Sequence, residues 1–516
     1  MSFDACMPSG CGALPTDEDP IMFGQTMKAI MKDELESGPQ ERQRLPSMEF
    51  LSPGHHSAER SASAVGCVFA MLATIVGGGA LSLPYALKSL GAGPGFALIF
   101  LAAYASDASL LALCAASRRT GIVALPRLAR HTHGPWLEVV CNASLLALCG
   151  FVSVAYVTLL RDMLEVIGFE EGGDLNASLG ACLVCVLFPL SLFEDVSRLS
   201  FAAVVSFGAA VLVAATFCIR APAALAAGGA RGGANPWYEL LARRGEADGP
   251  AAAVGAVPIV SIMYLCQFNI LSVHAKLANP TRRRLAVLVH TAVGAATALY
   301  IVLGLCGLAV CRDVPLDVSQ DALACLAYAA RGEPTDPVLI FCAAAFGVAI
   351  LLNTPAIVIP LRDSIISLPA ALGCDLRRRA PRSPATTRAD ERRSLTTPTK
   401  GGSHQGGSED APRRKTAAER LGHVLLTAAL VAGTWAGAVF APGVAVVWAF
   451  AGSSVGLFIS YSLPCAVYLK VRQNKRASKL LVCRVILAVS LALLVVCFAR
   501  NVYAAYAASV AAGDTR

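Results

Sequence analysis

Apolar residues gather into eleven long runs divided by polar segments, at approximately 63–86, 95–116, 135–160, 179–193, 199–220, 253–273, 285–310, 337–359, 420–440, 444–469 and 480–499. Most approach the roughly 20 residues that a helix needs to cross a bilayer's hydrocarbon. Strand-type alternation over ten-residue segments, the mark of a membrane barrel, is absent from the sequence. The pattern predicts an all-α polytopic membrane protein with eleven transmembrane helices. Two polar stretches flank or split the array. Residues 1–62 are mixed in charge and lack an apolar period, so a disordered cytosolic tail is expected there. Residues 360–419 are basic and rich in Gly, Pro and Ser, and predict a disordered cytosolic loop between spans eight and nine. That loop reads as a solvated linker or as a phosphorylatable patch held against anionic lipid. The transmembrane blocks are then 63–359 and 420–499, with a short non-cytosolic tail at 500–516.

Composition agrees with this division. The 516 residues are 55% hydrophobic and 15% charged, where soluble chains carry about 25% charged residues. The 44 glycines favour helices packed closely through small residues. No cleavable signal peptide is visible at the N-terminus. Most of the 43 basic residues fall on segments that share one side if the N-terminus is cytosolic, as the positive-inside rule requires. Asn176, in an Asn-Ala-Ser sequon between spans three and four, is then a candidate glycosylation site on the other side.

Two spans carry features that a lipid-facing helix does not need. The first contains Thr74-Ile-Val-Gly-Gly-Gly-Ala-Leu-Ser-Leu-Pro-Tyr-Ala86. Gly77, Gly78 and Gly79 favour departure from helical geometry, and Pro84 removes a backbone donor. These residues equally permit close helix packing. If the helix breaks, its freed N–H and C=O groups could meet a carboxylate and a cation or ammonium. The sixth span places Gln267 and Asn269 mid-membrane, where they must face a cavity or another helix. Asp107 is the most nearly central acid and a candidate proton carrier. Its alternative is a plain hydrogen bond to Ser106 or to a neighbouring helix. Of the 18 cysteines, most lie in spans and count as small apolar residues. Cys311 and Cys325 fall between spans seven and eight, on the predicted non-cytosolic side, and could form a disulfide. No phosphate-binding glycine loop, nucleophile–base pair, metal-ligand set or nucleic-acid motif appears, so an ATP-driven pump or an enzyme has no support and no cofactor is implied.

Thr74–Ala86, Cys266–Leu285 and Asn353-Thr-Pro-Ala-Ile-Val-Ile-Pro-Leu-Arg-Asp363 together resemble the amino acid/auxin permease family of eukaryotic transporters, from about residue 63 to 499. The resemblance implies a leucine-transporter-like fold, with two inverted five-helix repeats and broken helices one and six. It also implies a midplane site for an amino acid between those breaks, served by Thr74, Gly77, Gly78, Gly79, Cys266, Gln267 and Asn269. The position of the sodium-coupled branch's ion-binding asparagine matches Ala73, and that of its helix-eight threonine matches Asn353, with Thr354 beside it. The expected function is secondary active transport of an amino acid, neutral ones by default, driven by protons through Asp107. Sodium coupling, a cationic substrate or an amino-acid sensor on the same fold are the alternatives. The membrane would be the plasma membrane or a vacuolar or lysosomal one.

Overall fold

A computed structural model describes residues 62–169, 172–192, 200–227, 236–242, 245, 249–278, 281–315, 325, 337–371, 417–472 and 477–514. The expected tail, apart from Ala62, and most of the expected 360–419 loop lie outside the described residues. The first apolar span is α1 (Ala64–Ile75) followed by a 3-10 turn (Gly78–Ser82) and α2 (Leu83–Leu90). Then come α3 (Ala92–Thr120), α4 (Leu125–His133), α5 (Pro135–Ile167), α6 (Gly173–Ser191), α7 (Ser200–Ala227) and the short α8 (Pro236–Ala242). The sixth apolar span is α9 (Gly249–Met263) and α10 (Gln267–Lys276). The remainder are α11 (Arg282–Val310), α12 (Pro337–Asn353), α13 (Pro355–Ala371), α14 (Ala417–Phe440), α15 (Val444–Val471) and α16 (Ala477–Asp514).

Ten helices among the described residues are long and apolar enough to cross a membrane, or eleven if the bent pair α1 and α2 is one span. Their burial sorts them into centre and rim. The apolar windows of Val444–Val471 and Val254–Lys276 are 78% and 72% buried, against 22% for Gly173–Ser191, Arg420–Phe440 and Leu480–Ala507. The sixth span and α15 therefore form the middle of the bundle, and α6, α14 and α16 its flanks.

Close approach through glycine brings the central helices together. A β-carbon on Gly452 of α15 would lie 2.2 Å from the Pro258 carbonyl of α9. One on Gly307 of α11 would lie 2.5 Å from Pro84 Cγ on α2. Such contacts maximise dispersion where lipid supplies no hydrophobic drive between helices. Left-handed glycines set the corners: Gly91, with φ 90°, separates α2 from α3, and Gly121, with φ 74°, ends α3. Ser63 caps α1 by accepting the Gly66 N–H at 3.0 Å. Beyond the cap, Ala62 N–H donates to Lys276 O (3.1 Å) and Ala62 O accepts from Ala278 N–H (3.0 Å). The start of the first span is thus laced to the end of the sixth.

Two expectations change in detail. Asn176 sits in the first turn of α6 rather than in a loop, and its carbonyl accepts the Trp435 indole N–H at 3.3 Å. Pro84 opens α2 at its first turn, where the missing N–H is unneeded, so the glycines alone carry the interruption before it.

Candidate functional site

Helix α1 stops at Ile75, and Val76 still donates to Leu72 O at 2.8 Å. Gly77 is extended (φ −113°, ψ −164°), and the chain re-forms as the 3-10 turn, bent by 48° from α1. The sixth span is interrupted at Tyr264–Cys266, where Cys266 takes φ −144° and ψ 7°. Each interruption leaves carbonyls facing the bundle interior, where they need donors.

The donors come from α3 and α11. The Tyr300 hydroxyl of α11 lies 2.8 Å from Ile75 O and 3.0 Å from Met263 O, so one proton serves the carbonyl ends of both half-helices. Ser106 of α3 donates to Tyr264 O at 3.1 Å. Tyr264 packs edge-on to Tyr300 with ring centroids 5.3 Å apart, and its hydroxyl meets Thr297 Oγ1 at 3.0 Å. Tyr300 is wholly buried.

The residues singled out from sequence divide into two groups. Thr74 and Asn269 come together, with Asn269 Nδ2 donating to Thr74 Oγ1 at 2.9 Å. Gly77 and Gly78 lie under Tyr156 of α5. A β-carbon on Gly77 would sit 3.1 Å from the Tyr156 hydroxyl, and one on Gly78 would clash at 2.9 Å with its ring. The Tyr156 hydroxyl is turned toward the Gly78 backbone and the Asn353 side chain. Gly79 faces Met263, with 3.6 Å from its would-be β-carbon to Met263 Cγ. Thr74, Gly77, Gly78, Gly79, Asn269 and Asn353 thus meet around the two breaks.

Gln267, Asp107 and Thr354 take other partners. Gln267 is fully buried; its Oε1 accepts the Cys266 N–H at 2.9 Å and its Nε2 donates to Ser106 and Ser109, each at 3.1 Å. Its amide bridges the Cys266 backbone at the break and the two serines of α3. The Cys266 thiol is buried beside it. Thr354, between α12 and α13, donates to Ile350 O of α12 at 2.7 Å. Asp107 meets His290 of α11 at 2.7 Å on the flank of the α3–α11 contact, with the His290 side chain half exposed. Cys311 and Cys325 are paired as a disulfide, Cα–Cα 5.4 Å. Lys88 of α2 is buried and donates to Cys311 O at 2.9 Å and to Val314 O, tying the first span to that loop.

Buried polar atoms without a partner also mark the site. Ser82 Oγ, on the 3-10 turn, and Trp448 Nε1, whose ring stacks edge-on to Tyr156 at 6.3 Å, have no hydrogen-bond partner among the described residues. Buried polar groups are nearly always paired, so these two atoms are open to a water or a polar ligand. Sequence reading missed Tyr156, Tyr300, His290 and Trp448, because an aromatic or histidine in an apolar run carries no signal of what it touches. A cavity of about 450 Å³ lined by His133, Lys470 and Arg484, with apolar walls, lies apart from both breaks.

The profile of the family described as "Transmembrane amino acid transporter protein" matches residues 60–507. Amino acid transporter AVT6B of Arabidopsis thaliana is 25% identical over 447 residues, covering 83% of this chain and 87% of that relative. Sodium-coupled neutral amino acid transporter 11 of Mus musculus, whose name marks the assignment as provisional, is 25% identical over 283 residues, 52% of this chain and 59% of its own. Among solved structures, MhsT in complex with L-phenylalanine aligns with 86% of this chain and 99% of its own at 12% identity and a TM-score of 0.47. With the family profile running through both interrupted spans, α5 and α11, the chain belongs to the transmembrane amino acid transporter family, the amino acid/auxin permeases that its motifs resemble.

Proposed function

We propose that this protein is a secondary active transporter of amino acids, neutral ones by preference, binding its substrate between the two interrupted spans. The convergence of Thr74, Gly77, Gly78, Asn269, Tyr156 and Asn353 on those interruptions carries the reading. Half-helix starts expose N–H groups that attract an anion. The substrate carboxylate would therefore take the N–H groups of Gly78 and Gly79 as Tyr156 gives way, and Asn269 Oδ1 would accept from the ammonium. Ser82 Oγ and Trp448 Nε1 supply further unpaired polar groups nearby. Alternating access would rock one set of helices against the other about this fixed site, in a leucine-transporter-like arrangement of two inverted repeats and eleven spans. The N-terminus would be cytosolic, and the membrane the plasma membrane or a vacuolar or lysosomal one. Asn176 would face the other side as a glycosylation site.

Proton coupling fits the pairing of Asp107 with His290, two titratable groups joined at membrane depth. Labelled amino-acid uptake into proteoliposomes under a pH gradient, a sodium gradient or neither tests the proposal. Uptake that follows the pH gradient and is lost in Asp107→Asn is the expected result. Uptake that needs sodium overturns the proton reading. Binding without net flux under any gradient overturns transport itself in favour of a sensor.

A further inference from the structure

Two half-helices end on the same atom. Ile75, the last residue of α1, and Met263, the last of α9, turn their carbonyls to the Tyr300 hydroxyl at 2.8 and 3.0 Å. The C-terminal end of a helix carries about half a negative charge, and two such ends meeting within the membrane interior form the kind of carbonyl cluster that coordinates a monovalent cation in transporters with broken helices. Here the cluster holds a neutral phenol instead. Ile75 O receives a second donor, the Gly77 N–H at 3.0 Å.

The phenol is fixed in place from the side. Tyr300 is 0% exposed, stacks edge-on to Tyr264, and Tyr264 is held by Thr297 one helical turn before Tyr300 on α11. Tyr300 therefore presents its hydroxyl from a packed helix rather than from a mobile loop. A hydroxyl proton neutralises part of the carbonyl charge without a net positive charge, and the hydroxyl occupies the place between the two oxygens.

We infer that the Tyr300 hydroxyl stands in place of a coupling cation at the junction of the two half-helix C-termini, making this carbonyl cluster independent of sodium. This deepens the transport reading and rests on it: Tyr300 would be the residue that decides which ion this position accepts. It is a positioning residue for both breaks, since its hydroxyl bonds their backbone carbonyls.

The test uses the full-length protein in detergent, as wild type, Tyr300→Phe and Tyr300→Ser. Thermal unfolding midpoints are compared in sodium chloride, potassium chloride and choline chloride at equal ionic strength. Tyr300→Phe keeps the ring and removes the hydroxyl that both carbonyls share, leaving Ile75 O with the Gly77 N–H alone and Met263 O without that donor, so its midpoint falls below wild type in all three salts. Tyr300→Ser opens space beside two carbonyls and a short hydroxyl, so it gains a rise in sodium that potassium and choline do not give and wild type does not share. A Tyr300→Phe midpoint equal to wild type overturns the inference. So does a folded Tyr300→Ser whose response to sodium matches that of wild type. Should Tyr300→Ser not fold, Tyr300→Thr takes its place in the same three salts, with the same two outcomes. Amino-acid uptake by wild type tests the transport reading separately, so failure of one is distinguishable from failure of the other.

Discussion

Replacing Gln267 with leucine separates a structural role from a ligand-binding one. The side chain is fully buried and makes three hydrogen bonds, one from the Cys266 N–H and two to the serines of α3. Leucine fills much the same volume and removes all three. The Cys266 N–H is then left buried without an acceptor, which costs about 1–3 kcal/mol. Ser106 and Ser109 keep their own donations, to Tyr264 O and Ser106 O, so each loses only an incoming bond. Interhelical hydrogen bonds within membranes average about 0.6 kcal/mol. The loss at the Cys266 N–H is therefore comparable to the two serine contacts together or larger, and the total comes to about 2–4 kcal/mol. Equilibrium unfolding in mixed micelles reads this as a lowered midpoint for Gln267→Leu. Ser109→Ala, which touches only one of the three bonds, should show much less. The reasoning is refuted if Gln267→Leu unfolds like wild type while its affinity for amino acid collapses. That result would return Gln267 to the ligand, the role that the family resemblance implied.

Further outcomes follow from the same contacts. Arg362 is 1% exposed and donates to Ser191 O at 2.7 Å, joining α13 to the end of α6. Arg362→Met should lower the unfolding midpoint by the equivalent of about 2 kcal/mol, the scale of a charge-assisted hydrogen bond. Cys218 of α7 and Cys306 of α11 have their sulfurs 3.6 Å apart, so mild copper–phenanthroline oxidation should link them, and mass spectrometry of the digested protein would detect the joined peptide. His133, beyond the end of a span, has its pKa lowered below 6.5 by burial and then by the Lys470 ammonium. The folded state thus binds this proton less readily than the unfolded one, so stability is lost as pH falls from 6.5 through the folded pKa. His133→Gln should flatten that acid-side decline in an unfolding series against pH.

The apolar runs determined the helical membrane architecture and most of its spans, because length and hydropathy are local properties that hydrocarbon enforces residue by residue. The Gly77–Gly79 run marked the interruption in the first span for the same reason: backbone freedom is written in the residue itself. The polar pair Gln267 and Asn269 marked the sixth span, but not what each amide does. Asn269 reaches Thr74 across the bundle, while Gln267, two residues earlier, turns to Ser106 and Ser109. A helix rotates about 100° per residue, so neighbours in sequence meet different helices, and only packing decides which. Asp107 likewise lies beside Ser106 in sequence, yet Ser106 serves the Tyr264 carbonyl and Asp107 meets His290. Tyr156 and Tyr300 lay unmarked in apolar runs, since a tyrosine's ring suits any helix interior and its hydroxyl acquires meaning from a partner many residues away. For Tyr300 those partners are the carbonyls of Ile75 and Met263. The sequence determined where the backbone could open, and the tertiary structure decided which side chains close it, because satisfying a freed carbonyl in the membrane takes a donor from another helix.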